Sequence, residues 1–438
     1  MTLATPITVI RGRFLDIQKT VAQANQIADQ VRYLEDGVLI TEQGKIRWFG
    51  TWNAAQDHLP ANVDIQHYPE QLIIPGMIDT HIHFPQTEMV GAYGEQLLSW
   101  LNTYTFPTEI QFKDKAYASE IAKFFVNELL KNGTTTALVF CTVHPESVDA
   151  LFEAAEQHQM RLIAGKVMMD RHAPEALCDT ADIGYDDSKA LIEKWHGQGR
   201  ALYAITPRFA PTSTPEQLER AGQLKAEYPD VYVHTHLSEN KDEIAWVKDL
   251  FPKQNGYLDV YHHYGLTGQR SVFAHCVHLE DAEWQCMHET DSAIAFCPTS
   301  NLFLGSGLFP LNKTWHQQVK VGLGTDVGAG TSFSLLQTVN EAYKVQQLQG
   351  DKLSAYESLY HATLGGAKAL DLDDKLGNFN VGKEADFVVL NLKPTALQQL
   401  RQSRAKSLED SLFALFTMGD DRNVEATYIY GQKAYNQN

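Results

Sequence analysis

Several things are scarce in this chain, and each scarcity narrows what it can be. No apolar run approaches the roughly 20 residues of a membrane-spanning helix, so no helical span is expected. Basic residues are in deficit: 36 Lys and Arg stand against 54 Asp and Glu, a net charge of −18. Nucleic-acid binding draws on a clustered basic surface, and anionic lipid attracts the same charge, so neither is an expected partner. The balance favours a small neutral or cationic substrate. Cysteine is sparse too. The five residues Cys141, Cys178, Cys276, Cys286 and Cys297 are odd in number and contain no C-x-x-C pair. A disulfide framework and a thiolate zinc site are both unexpected, and a reducing cytoplasm suits the count. The first residues, MTLATPITVIRGRFLDIQKT, lack a basic region followed by a long apolar stretch, so no signal peptide is expected. Repeats and low-complexity tracts are missing as well.

What is present is ordinary globular material: 438 residues, 44% hydrophobic and 21% charged. At roughly 150 residues per domain, that length fits about three domains, or one large barrel with an accessory domain. The two ends resemble each other. Gly37–Ile40, a Glu-Gln-Gly-Lys turn and Ile46–Phe49 read as a β-hairpin, as do Ala426–Tyr430 and Lys433–Tyr435, with Asp386–Leu390 a further strand. Between them, short apolar strands alternate with helical stretches. The strands are expected at 76–84, 135–140, 162–168, 201–206, 231–236, 271–274, 293–296 and 319–324. Helices are expected at 114–132, 147–157, 188–196, 214–228, 241–250 and 281–289. Eight strands with intervening helices predict an α/β fold, a (β/α)8 TIM-like barrel spanning 74–375. Residues 1–73 and 376–438 are expected to meet in one small composite β-sandwich domain.

The strongest local signal is Pro75-Gly76-Met77-Ile78-Asp79-Thr80-His81-Ile82-His83. On a regular strand Asp79, His81 and His83 share one face, and Ile78 and Ile82 share the other. Imidazoles facing a barrel interior need a partner, and a metal supplies one. Two structural core histidines are the bland alternative, which the position at the end of a first barrel strand disfavours. His234-Thr235-His236-Leu237-Ser238-Glu239 follows a second strand, with His236 at its C-terminal end and His234 one layer deeper. Glu239 in the loop beyond can act as general acid and base, or merely cap the next helix. Two more strands end in His275 and in Gly324-Thr325-Asp326. Alone, Gly-Thr-Asp is more often a turn. The ordered set of H-x-H, H-x-x-E, His and Asp, each at the C-terminal end of a strand, carries the weight.

That set resembles the amidohydrolase superfamily, on its mononuclear zinc deaminase branch. The resemblance implies metal ligands at His81, His83, His236 and Asp326, with Glu239, His275 and Asp326 catalytic. Binuclear relatives use a carboxylated lysine; residues 201–209 offer Arg208 and no lysine, and Lys166 on an earlier strand reads as structural, so one Zn2+ per chain is implied. The H-x-E and P-C-x-x-C pattern of the other zinc deaminase design is absent.

Further segments bring the resemblance to the guanine deaminase family. They include His83-Phe84-Pro85-Gln86, Trp100–Glu109, Thr206-Pro207-Arg208-Phe209, Cys297–Leu302 and Ala362–Ala367, within a span from about 75 to 390. The resemblance implies hydrolysis of guanine to xanthine and ammonia in purine catabolism or salvage, by a cytoplasmic homodimer. Arg208 would present its fork of donors to O6 and N7, Gln86 its amide to the N2/N3 side, and Phe209 its ring to the purine face. His83, His236, Glu239 and Asp326 would also touch substrate, whereas Trp100 and Phe106 read as core or lid. Two alternatives remain beside this one. The first is another mononuclear amidohydrolase, acting on cytosine, an adenosine analogue or a triazine. The second is a non-catalytic scaffold on the same barrel, which the full ligand set disfavours.

Overall fold

The computed structural model describes residues 7–61, 63–93 and 97–437, without the side chains of 97 and 98. Residues 1–6, the start of the segment read as lacking a leader, lie outside the described residues.

The chain opens with four strands, β1 (Ile7–Ile17), β2 (Val31–Glu42), β3 (Lys45–Thr51) and β4 (Ile65–Pro75). The turn between β2 and β3 places Gln43 at φ 54° and Gly44 at φ 75°. Two successive positive φ values make the kind of tight turn that matches strand twist and favours glycine. The next strands are β5 (Met77–His83), β6 (Thr134–Phe140), β7 (Arg161–Gly165), β8 (Val167–Met168), β9 (Leu202–Pro207), β10 (Tyr232–Leu237), β11 (Ser271–His275), β12 (Ala293–Phe296) and β13 (Lys320–Leu323). They pair in parallel in the order β5-β6-β7-β9-β10-β11-β12-β13, with the short β8 continuing β7 alongside β9. The ends of the path meet where Asp326 N donates to His81 O (2.9 Å) and His83 N donates to Val327 O (2.9 Å). The eight expected strands are all present, and the fold is a TIM-like barrel. Helices Lys115–Lys131, Pro145–Glu156, Ala181–Trp195, Pro215–Glu227, Lys241–Leu250 and Asp281–Glu289 occupy the expected intervals, the third beginning seven residues before position 188. Thr180 caps that helix through Ile183 N, so it starts at its capping hydroxyl rather than at the apolar stretch.

The barrel interior opposite the site is filled by one residue or more from each of seven strands, including Ile78, Leu138, Ile163, Ala204, Tyr232, Val272 and Ala293. Leu370, Leu372 and Leu376 close it from below, and the Tyr232 hydroxyl donates to Leu370 O at 2.6 Å. Ile82 instead packs outward, in the layer between strands and helices. Ile78 and Ile82 therefore lie on opposite faces, against the simple alternation. The pairing of β5 with β6 shifts register between Asp79 and Ile82, and that irregularity reverses the parity.

The chain ends with β14 (Phe387–Leu390), β15 (Val424–Ile429) and β16 (Gln432–Asn436). β14 pairs antiparallel with β4, matching Phe387 to Pro75, so both ends of the chain share a seven-stranded sheet in the order β16-β15-β14-β4-β1-β2-β3. Ile46 of β3 and Tyr428 of β15 belong to one buried cluster with Ile10, Phe14, Leu39 and Phe387, so the sheet curls until its distant strands share a core. It is tied to the barrel floor by buried charges. Glu384 accepts from Arg161 (Nη2, 2.5 Å) and Arg200 (Nη2, 2.5 Å), and Arg200 also reaches Asp386.

Candidate active site

The C-terminal ends of the barrel strands bring the singled-out residues together. His81 and His83 leave β5, His236 leaves β10, His275 ends β11, and Asp326 follows β13. His81 Nε2 lies 3.1 Å and His83 Nε2 3.3 Å from Asp326 Oδ1, and His83 Nε2 lies 3.2 Å from His236 Nε2. A tetrahedral ion with nitrogen ligands at about 2.0–2.1 Å holds its donor atoms about 3.3–3.4 Å apart. The observed separations fit that spacing. The donor chemistry fits as well. His236 Nδ1 donates to Arg208 O (2.6 Å), which leaves the Nε2 lone pair turned inward. His81 Nδ1 meets His234 Nε2 at 2.8 Å, so the deeper histidine braces the outer one. His81 Nε2 is buried and, although 3.1 Å from Asp326 Oδ1, makes no well-aligned hydrogen bond with it, which suits a metal-ligating atom.

Electrostatics point the same way. Burial holds His81, His234 and His236 below the ordinary histidine range and pushes His83 down to about 3, so these rings are neutral and free to ligate. Burial opposes ionisation of Asp326, but the facing His81 and His83 outweigh it and hold the carboxyl well below its usual range. Glu239 behaves oppositely. Burial first, then the Asp326 charge, pushes its carboxyl up to about 8 despite the Ser306 hydroxyl donating to it at 3.2 Å. Burial thus favours its acid form. His275 Nδ1 donates to Asn301 Oδ1 (2.9 Å), leaving Nε2 3.5 Å from Glu239 and 3.8 Å from Asp326.

The backbone at these strand ends is unusual. Ser238 (φ 49°), His275 (φ 71°), Cys276 (φ 52°) and Asp326 (φ 52°) are all left-handed without being glycine. Such residues persist only where surrounding contacts over-determine them, and they cluster at functional sites. Asp79 supplies one such contact. It accepts from the backbone of His81 (3.1 Å) and Thr325 (3.1 Å) and from the Thr325 hydroxyl, locking the β13 loop to β5.

A cavity opens beside this cluster. Gln86, Arg208 and Phe209 line it with His83, Glu239 and His275. Trp100 lines it too, although it reads as core or lid from sequence. The helical segment 97–109 folds over the strand ends and carries that indole inward. Lys166 does not line the cavity; it is buried against Asp179, in line with a structural role. Sequence reasoning passed over Glu109, Glu243 and Asn301. Glu109 pairs with Arg208 (2.7 Å), and Glu243 accepts from Glu239 N (3.0 Å) and from the Tyr257 hydroxyl (2.7 Å). Glu243 looks in sequence like an ordinary acid in a helix's first turn. Glu109 and Asn301 fall in segments noted only for their family resemblance.

Comparison with known proteins accords with this geometry. Residues 72–434 match the model of the amidohydrolase family. The chain is 61% identical over 432 residues to guanine deaminase of Escherichia coli, covering 99% of this chain and 98% of that protein. The solved structure of E. coli guanine deaminase superposes with a TM-score of 0.96 at 60% identity, over 99% of this chain and 100% of that one. Guanine deaminase from C. acetobutylicum, solved with guanine bound in its active site, gives 0.88 at 31% identity over 98% and 100%. The chain belongs to the amidohydrolase family and, within it, to the guanine deaminases.

Proposed function

We propose that this protein hydrolyses guanine to xanthine and ammonia with one zinc ion per chain, held by His81, His83, His236 and Asp326. The observation that carries the reading is the convergence of His81, His83, His236 and Asp326, with neighbouring donor atoms 3.1–3.3 Å apart, beside the buried Glu239 and a cavity lined by Gln86, Arg208 and Phe209. Zinc bound there supplies a Lewis acid that makes water nucleophilic at neutral pH. The remaining chemistry belongs to the chain. Glu239, whose acid form burial favours, delivers a proton to N3 as C2 is attacked and relays protons to the departing amine. His275 and Asp326 orient the attacking water and help take up its proton. His275 is suited to this because Asn301 holds its Nδ1–H, so Nε2 faces the reaction. Arg208 offers donors to the carbonyl edge of the purine, Gln86 its amide to the opposite edge, and Phe209 its ring to the face.

The same reading takes the enzyme as a cytoplasmic homodimer of purine metabolism, with the barrel at 74–375 and the composite β-domain at 1–73 and 376–438. No helix among the described residues is long and apolar enough to cross a membrane. The deciding experiment incubates purified protein with guanine, adenine, cytosine and a triazine and measures ammonia. Release from guanine with almost none from the others supports the reading; comparable release from adenine or cytosine rejects it.

A further inference from the structure

We propose that Glu109 is a positioning residue for substrate recognition, holding the Arg208 guanidinium and the Gln86 amide in the orientations that read the purine. This rests on the guanine reading of the cavity. Glu109 is 1% exposed, and both of its carboxylate oxygens are taken by cavity-lining side chains. Oε2 accepts from Arg208 Nη1 at 2.7 Å, and Oε1 accepts from Gln86 Nε2 at 3.3 Å. The far end of the Gln86 amide is fixed as well, because Gly328 N donates to Oε1 at 3.2 Å. The Gln86 amide is thus held at both ends, with its Nε2 also 3.2 Å from His83 Nδ1. Arg208 is held from a second side by the Phe106 ring, whose centroid lies 5.6 Å from the guanidinium carbon.

The arrangement has a chemical logic. A guanidinium carries five N–H donors, and Glu109 takes one, so donors remain for a substrate in the cavity that Arg208 lines. A buried guanidinium without a counter-ion would be unstable and would draw in water or rotate. Paired with Glu109, it can face a neutral purine in a fixed pose. One carboxylate thus sets two recognition groups carried by segments that follow different strands of the barrel, Gln86 after β5 and Arg208 after β9.

The test is Glu109→Gln. The shape is retained, but one oxygen becomes an NH2 that must face a donor of Arg208 or of Gln86, and such a clash is not satisfied in a buried site. Steady-state kinetics with guanine should show KM raised about tenfold or more, with kcat changed by less than about threefold. The dissociation constant of 2-aminopurine, which lacks the C6 carbonyl but keeps N7 and the 2-amino edge and reports through its own fluorescence, should rise by a clearly smaller factor than the guanine KM. Metal content should stay at the wild-type level. Glu109→Asp keeps the charge one methylene further back; it should show the same selective loss in smaller measure, and it decides the matter if the glutamine variant does not fold. Equal losses for both ligands, a loss confined to kcat, a fall in metal content, or an unchanged guanine KM would each overturn the inference. A wild-type protein inactive on guanine would instead overturn the substrate reading beneath it.

Discussion

Replacing Glu239 by glutamine separates proton transfer from everything else this side chain does. The carboxyl is 2% exposed, accepts from the Ser306 hydroxyl at 3.2 Å, and lies 3.5 Å from His275 Nε2. Glutamine fills the same volume and its Oε1 can keep the Ser306 hydrogen bond, so neither packing nor the adjacent donors should change. It has no proton to give. General acid–base catalysis contributes about 10²–10⁴-fold, which is about 2.7–5.5 kcal/mol of transition-state stabilisation. Single-turnover formation of xanthine, followed by ultraviolet absorbance, should slow by that factor, while elemental analysis finds the metal retained. A pH profile adds a second readout. The acid form is the one that donates, and burial with the Asp326 charge pushes this carboxyl up to about 8. Wild-type kcat/KM should therefore fall as pH rises through that region, and the residual activity of the variant should lack that limb. A variant that keeps more than about a tenth of wild-type turnover, with chemistry rate-limiting, would refute the assignment.

Three further outcomes follow from the geometry. His81→Ala or His236→Ala should lower zinc content in protein purified without added metal, where wild type should hold about one equivalent; two equivalents, both needed for activity, would defeat the mononuclear reading. Arg208→Ala should reduce kcat/KM for guanine by about 2–3 kcal/mol, and Arg208→Lys should restore part of it, since lysine can neutralise Glu109 but lacks the fork. An unchanged value in Arg208→Ala would remove this residue from recognition. Glu384→Ala strips Arg161 of its carboxylate and leaves Arg200 with Asp386 alone at the junction of sheet and barrel. Breaking a buried pair in this way should destabilise by about 3–5 kcal/mol in urea unfolding, and a loss below about 1 kcal/mol would mean that the junction is held chiefly by apolar packing.

Sequence alone determined the barrel, the order of its strands, and the four positions that meet at its mouth. These were legible because strand alternation, turn chemistry and spacing act over a few residues, and because a polar side chain at the C-terminal end of a barrel strand has one place to go. The meeting of the two termini was legible in outline, from hairpins of similar character at each end. Tertiary structure decided the rest. It reversed the parity of β5 between Ile78 and Ile82, because pairing with β6 slips where the strand carries its histidines. It set His234 behind His81, 153 residues away, and Asn301 behind His275. It also brought Glu109 to Arg208 across 99 residues of chain. No local pattern announces such a partner: a buried charge takes its counter-ion from whichever segment the closed barrel brings within about 3 Å, and that neighbour is chosen by strand order and loop path, not by the residues beside it in sequence.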